Sequence, residues 1–313
     1  MALDEATANL LAQMAAQGGK PLHEQEPDEA RKAGSAITEL YGRGPEMLRV
    51  DDVRLPTSDG DEFAVRVLVP VEIPAGVIVY YHGGGWVLGD IDQFDTLGRQ
   101  LAARTRCAVV LVDYRKAPEH KYPTAVEDSW QALVWAHRNG TEIAGADVPL
   151  IVAGDSAGGN LAAVMAHRAR DRSGPELALQ VLVYPVTAAD FDTPSYTDPE
   201  NQQILTREGM IWFWNHYAPE ERRGEPEASP LLAERFDGLP PAVVLLAEHD
   251  PLRDEGEAYV AALEKAGVPV RSRLFKSQTH GFFTMVNVLP GSAEAIDYVV
   301  AEIGARLDEV ARR

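Results

Sequence analysis

The heptapeptide Gly154-Asp155-Ser156-Ala157-Gly158-Gly159-Asn160 constrains this chain more than any other stretch, because of what flanks it. Before it runs the apolar segment Val148-Pro149-Leu150-Ile151-Val152-Ala153, the pattern of a parallel strand buried on both faces. After it, residues 161–170 are rich in alanine, with Leu161, Val164 and Met165 spaced for a helix. Ser156 therefore stands on a sharp strand-to-helix turn. Gly154 and Gly158 lie two positions to either side, where strand and helix backbones come too close for side chains. Such a G-x-S-x-G turn lifts the serine hydroxyl above the carboxyl end of a sheet, where a nucleophile is useful. The same pentapeptide also arises in plain Gly/Ser turns, so its meaning depends on partners elsewhere.

The remaining periodicity supplies the sheet. Phe63, Val65, Val67 and Val69 alternate, as in an exposed or antiparallel early strand. Continuous apolar runs follow at 77–81, 107–112, 150–153, 179–184 and 242–247, and 270–275 alternates again. Helical stretches at 94–104, 124–138, 161–170, 255–266 and 293–311 separate most of them. Strands alternating with helices imply an α/β class: right-handed crossovers and a mostly parallel sheet covered on both faces. Residues 46–185 and 239–313 are expected to form this body. Two segments depart from the rhythm. In residues 1–45 one amphipathic helix groups Leu3, Leu10, Leu11 and Met14, and a second groups Ala30, Ala33, Ile37, Leu40 and Tyr41. Residues 186–238 lack a strand signal and carry one aromatic helix starting near Thr206, with Met210, Phe213, Trp214 and Tyr217 on one stripe. Both segments read as parts of a helical cap, although simple packing on the core explains the aromatic stripe equally well.

Composition excludes several classes of partner. Among 313 residues, 29 basic and 48 acidic side chains give a formal charge of −19 at pH 7. That surface repels phosphate backbones and anionic lipid, which argues against nucleic acid or a membrane as partner. Cys107 is the one cysteine and opens an apolar strand, so it reads as a small buried hydrophobe and permits no intramolecular disulfide. The acidic start Asp4-Glu5 is unlike a signal peptide, and no apolar stretch approaches a membrane span. A soluble, cytoplasmic protein is expected. No H-E-x-x-H, Cys/His cluster or EF-hand spacing is found, and no metal or other cofactor is expected.

A serine hydroxyl needs a base, commonly a histidine held in the right tautomer by a carboxylate. On sheets of this kind the chain order is nucleophile, acid, base, each just beyond a strand's carboxyl end. The 242–247 run leads into Glu248-His249-Asp250, and the 270–275 run leads into Lys276-Ser277-Gln278-Thr279-His280. Asp250 and His280 are therefore the expected partners of Ser156. Glu248, Asp254 and Glu255 compete for the acid's role, the last two being suited to open the next helix. His249 competes for the base's role but adjoins the acid itself. Acyl transfer also needs donors for an oxyanion. Residues 77–81 end in His82-Gly83-Gly84-Gly85-Trp86, a loop type known from such sites. Gly83 and Gly84 are expected to donate, with the Ala157 N–H as third donor. A phosphate-binding glycine loop is the rival, but G-K-[ST] and G-x-G-x-x-G are lacking. His82 reads as a side chain that positions the loop.

Together His82-Gly83-Gly84-Gly85-Trp86, the 154–160 heptapeptide, Asp250-Pro251-Leu252-Arg253-Asp254-Glu255-Gly256 and His280-Gly281-Phe282 resemble the hormone-sensitive-lipase-like (family IV) bacterial carboxylesterases, in their GDSAGG subgroup. Tyr114-Arg115-Lys116-Ala117-Pro118-Glu119-His120 is similar to a further family signature, with Lys116 where leucine is usual. The resemblance implies an α/β-hydrolase fold with a mostly parallel eight-stranded sheet under a helical cap. It implies a Ser156-His280-Asp250 triad, an oxyanion hole from Gly83, Gly84 and Ala157, and hydrolysis of short- to medium-chain carboxylic esters without a cofactor. Family members are often dimers, which leaves a homodimer open here. An amidase or formamidase, or a small-molecule receptor on the same fold, are the alternatives.

Overall fold

The apolar runs form eight strands: β1 (Arg49–Pro56), β2 (Glu62–Val69), β3 (Val77–Tyr81), β4 (Ala108–Asp113), β5 (Leu150–Asp155), β6 (Leu179–Val183), β7 (Ala242–His249) and β8 (Val270–Thr279). The computed structural model describes residues 2–57 and 59–312, with the side chains of 35–37 outside that description. All eight strands join one sheet in the order β1-β2-β4-β3-β5-β6-β7-β8. β2 runs antiparallel to both β1 and β4, and every pairing from β4 to β8 is parallel. The early alternating strand is thus antiparallel and the continuous apolar runs parallel, as their patterns imply. β1 escaped the sequence reading because its Asp51-Asp52 pair and exposed Val50 blur the alternation of an edge strand.

Helices α1 (Glu5–Gln17) and α2 (Pro27–Tyr41) precede the sheet. α3 (Asp95–Thr105), α4 (Thr124–Arg138), α5 (Gly140–Ala144), α6 (Ala157–Asp171), α7 (Pro194–Thr197), α8 (Arg207–Tyr217), α9 (Arg253–Lys265) and α10 (Pro290–Ala311) follow. Successive residues of a strand point to opposite faces, and the core divides accordingly. Val77, Val79 and Tyr81 of β3 face one apolar cluster with Leu133 of α4 and Leu161 of α6, and Tyr259 of α9 joins the same cluster. Ile78 and Tyr80 face the other, which includes Leu101 of α3 and Ile296 and Val299 of α10. Both faces are covered, so the parallel ladder is shielded from water and its carboxyl ends are held in a fixed row.

The two irregular segments lie against those ends. Among the described residues, 186–238 contains no strand. Met210, Phe213, Trp214 and Tyr217 of α8 are all buried. Trp86 stacks on Tyr217 with ring centroids 4.0 Å apart and meets Trp214 edge-on at 4.9 Å. The aromatic stripe therefore packs on the loop after β3. In α2 the expected face holds only in part. Ala30 is buried, but Ala33 and Leu40 are exposed, and the side chain of Ile37 lies outside the described residues. Arg31 docks the helix instead, donating to the carbonyls of Val87 and Ala117 at 2.9 and 2.8 Å while pairing with Glu119. Lys116, the departure from the usual signature, pairs with Asp113 at 2.8 Å. No helix among the described residues is long and apolar enough to cross a membrane.

Candidate active site

Ser156 follows β5 and immediately precedes α6, with φ 54° and ψ −119°. Serine adopts such a conformation only where its surroundings enforce it, and here the neighbours are fitted to it. A methyl on Gly158 would overlap the Tyr81 carbonyl oxygen, and one on Gly154 would overlap the Gly158 carbonyl. The Ser156 N–H donates to the Val183 carbonyl at 2.9 Å, tying the turn to the end of β6. The Ala157 N–H lies in the first turn of α6, where donors lack an intrahelical partner and the helix dipole favours negative charge.

Two loops bring the other expected residues to this turn. His280 follows β8, and its Nε2 lies 3.0 Å from Ser156 Oγ. Its Nδ1 lies 2.8 Å from Asp250 Oδ2, just beyond β7. The carboxylate requires Nδ1 to carry the proton, so Nε2 presents a lone pair to the hydroxyl. Asp250 is fully buried, and its other oxygen accepts the Leu252 N–H at 2.8 Å. The competing residues are occupied elsewhere. Glu248 accepts the Ser277 N–H, Asp254 accepts the Ser195 N–H, and Glu255 accepts those of Thr187 and Ala188. His249 is buried, 3.9 Å from Glu248.

The glycine loop departs from expectation at one residue. The Gly83 N–H, expected to face an oxyanion, donates instead to Asp155 Oδ1 at 3.0 Å. A methyl on Gly83 would overlap that carboxylate, so Gly83 is glycine to admit Asp155. The next two N–H groups are free to point elsewhere. The Gly83 carbonyl accepts from His82 Nδ1 at 2.7 Å, and the Gly84 carbonyl accepts the N–H groups of Val87 and Leu88 at 3.1 and 2.8 Å. In a trans peptide the N–H opposes the C=O. Gly84 and Gly85 therefore turn their N–H groups away from the loop interior, and among the described residues neither meets a backbone acceptor. Both have left-handed φ, 102° and 60°, which glycine supplies without strain. Burial holds His82 neutral, down at about 4, and its ring stacks on Tyr114 at 4.3 Å. It braces the loop, as expected.

Several site residues gave no signal in the sequence. Tyr184 packs on the His280 ring at 4.5 Å between centroids. Asn160 ties the carbonyls of Val186 and Ala228 at 3.0 and 2.9 Å, fixing both ends of much of the inserted segment. Burial pushes the Glu255 carboxyl well above the usual range. Asp155 fills the variable position of G-x-S-x-G, where pattern reading assigns nothing. Burial raises its carboxyl to about 6, against the opposing pull of Tyr80, His280 and Gly83.

Comparisons with known proteins agree with this fold. A family model described as the alpha/beta hydrolase fold matches residues 78–284. The carboxylesterase NlhH of Mycobacterium tuberculosis is 42% identical over 260 residues, covering 80% of this chain and 82% of its own. An ethyl acetate hydrolase of Pseudomonas putida is 36% identical over 296 residues, 92% of each chain. The solved structure of a hyperthermophilic esterase from the archaeon Pyrobaculum calidifontis superposes with a TM-score of 0.90 at 37% identity, covering 97% of this chain and 99% of that one. The chain thus belongs to the alpha/beta hydrolases, in their hormone-sensitive-lipase-like family, and is a carboxylic ester hydrolase.

Proposed function

We propose that Ser156, His280 and Asp250 hydrolyse short- to medium-chain carboxylic esters through an acyl-enzyme. Ser156 Oγ attacks the ester carbonyl as His280 Nε2 takes its proton, and Asp250 stabilises the resulting imidazolium. Negative charge on the former carbonyl oxygen meets the N–H groups of Gly84, Gly85 and Ala157, with Gly85 taking the part first assigned to Gly83. The imidazolium then protonates the departing alcohol. Water enters, His280 takes one of its protons, and the hydroxide attacks the acyl carbonyl. Collapse breaks the bond to Ser156 Oγ, which recovers its proton from His280.

The observation that carries this reading is the placement of His280, 3.0 Å from Ser156 Oγ and 2.8 Å from Asp250 Oδ2. Residues 1–45 and 186–238 form the cap over the body at 46–185 and 239–313. In support, Arg31 and the α8 aromatics both grip the loop that follows β3. The ethyl acetate hydrolase among the relatives acts on a small ester, in keeping with short acyl groups here. Ser156→Ala is expected to keep the fold and lose at least ~10⁴-fold of the turnover of 4-nitrophenyl butyrate. Activity in that variant within tenfold of wild type removes Ser156 from the mechanism. A series of 4-nitrophenyl esters from acetate to palmitate is expected to peak at the short end.

A further inference from the structure

We infer that Glu248 is a positioning residue for His280: its carboxylate holds a bulge in β8 that sets how far the base reaches toward Ser156. The inference rests on the hydrolytic reading of Ser156. Along β7 and β8, Ala247 pairs with Phe275, yet His249 pairs with Thr279. Glu248 alone therefore faces Lys276, Ser277 and Gln278, and β8 takes up two residues more than its partner. Each strand residue advances the chain by about 3.3 Å, so an unbroken ladder carries Thr279 and His280 about 6–7 Å further along. The 3.0 Å contact between His280 Nε2 and Ser156 Oγ has no room for such a shift. The slack in β8 must stay folded for the base to meet the hydroxyl.

The bulge is held from both sides. Ser277, at its centre, has φ 62°, a left-handed conformation that serine keeps only under constraint. Its N–H donates to Glu248 Oε2 at 2.8 Å, the one hydrogen bond that this carboxylate makes among the described residues. Its carbonyl accepts the Asp4 N–H at 3.2 Å. Asp4 also accepts from Gln278 Nε2 and caps α1 by accepting the Thr7 N–H at 2.9 Å. Thr7 is the one buried residue of α1, so that helix is seated at this end, against the bulge. On the other side Glu248 is itself fixed, its carbonyl accepting from Arg253 Nη1 at 3.0 Å. A glutamate that only solubilises the surface keeps both oxygens in water, but this side chain is 15% exposed and turned to the bulge. Glu248 stands two residues before Asp250 and Ser277 three before His280. Their bond therefore ties the arm that carries the acid to the arm that carries the base. Without the acceptor, the Ser277 N–H loses its partner and residues 276–278 are free to relax along the ladder.

The test compares Glu248→Leu, which fills similar space without an acceptor, with Glu248→Gln, which keeps an oxygen. The readouts are kcat and KM for two esters of one acid, ethyl butyrate and 4-nitrophenyl butyrate. Ethanol must be protonated by His280 as it leaves, whereas 4-nitrophenolate departs without a proton, so a displaced imidazole harms the ethyl ester more. Glu248→Leu is expected to lower kcat ~100-fold on ethyl butyrate and ~10-fold on 4-nitrophenyl butyrate, with KM within about threefold of wild type. Glu248→Gln is expected to stay within about threefold of wild type on both. Should Glu248→Leu not fold, Glu248→Ala takes its place. A merely structural residue lowers the amount of active protein and moves both esters equally. The proposal is overturned by such equal losses, by unchanged kcat in Glu248→Leu, by a Gln variant as impaired as the Leu variant, or by failure of both apolar variants to fold. Absence of hydrolysis in the wild-type protein instead overturns the reading of Ser156 itself.

Discussion

At the residue scale, the fold spends stability on a few side chains held away from their ordinary ionisation, and the cost depends on pH. His167 on α6 is the clearest case outside the site. It is buried against Phe236 and Tyr259, with Nε2 3.1 Å from the Tyr259 hydroxyl. Burial, with Arg170 adding repulsion, lowers it from 6.5 to about 4. The unfolded chain therefore takes up a proton that the folded protein refuses. The stability of the neutral ring is complete above pH 6.5 and is lost as pH falls toward 4. Asp155 acts in the opposite sense, since its raised carboxyl loses stability as pH rises through about 6. The difference between wild type and His167→Gln isolates the imidazole. Urea unfolding is expected to show the wild type losing ground to that variant by up to ~1.4 kcal/mol per pH unit between pH 6.5 and 4. Parallel pH curves for the two proteins contradict this. Ser156, Asp250 and His280 were legible as candidates because strand ends, chain order and residue type converge on them. Asp155 and the orientation of Gly83 were not. Both depend on which way one peptide plane faces, and glycine encodes no preference there.

At the scale of elements, the parallel strands and their crossover helices were readable because each is long, apolar and regularly spaced. α4 begins and ends at the residues its pattern implies. The docking of α2 was not readable. Hydrophobic periodicity pointed to Leu40, which the structure leaves 60% exposed, while the helix is held through a guanidinium. Arg31 joins α2 to Val87 in the glycine loop, to Ala117 and to Glu119, whose carboxyl it holds down at about 2. Side-chain-to-carbonyl bonds of this sort leave no periodic trace in a sequence. Arg31→Met keeps the aliphatic stem and removes the bonds. It is expected to cost about 1–3 kcal/mol, the range for hydrogen bonds to a charged donor after allowance for the half-exposed Glu119 pair. Thermal unfolding checks it, and an unchanged midpoint shows that α2 is held by its apolar contacts alone.

At the scale of the whole molecule, a doubly covered parallel sheet ends four strands in one row and places a different part of the chemistry at each end. β3 leads to the glycine loop, β5 to Ser156, β7 to Asp250 and β8 to His280. Residues distant in the chain meet because neighbouring parallel strands share a direction, and the sheet's close packing keeps those ends in register. The segments that break the α/β rhythm collect at the same end, on the glycine loop. The formal charge of −19 is spread over a surface on which many arginines are paired with acids, such as Arg66 with Asp52, Asp92 and Asp95.

Covalent capture of the nucleophile tests the central claim most directly. The protein is treated with a 4-nitrophenyl alkylphosphonate and its peptides are read by mass spectrometry. One adduct per chain on Ser156, with loss of esterase activity in step with labelling, is the predicted result. Labelling of another residue, or full inhibition with Ser156 unmodified, contradicts it.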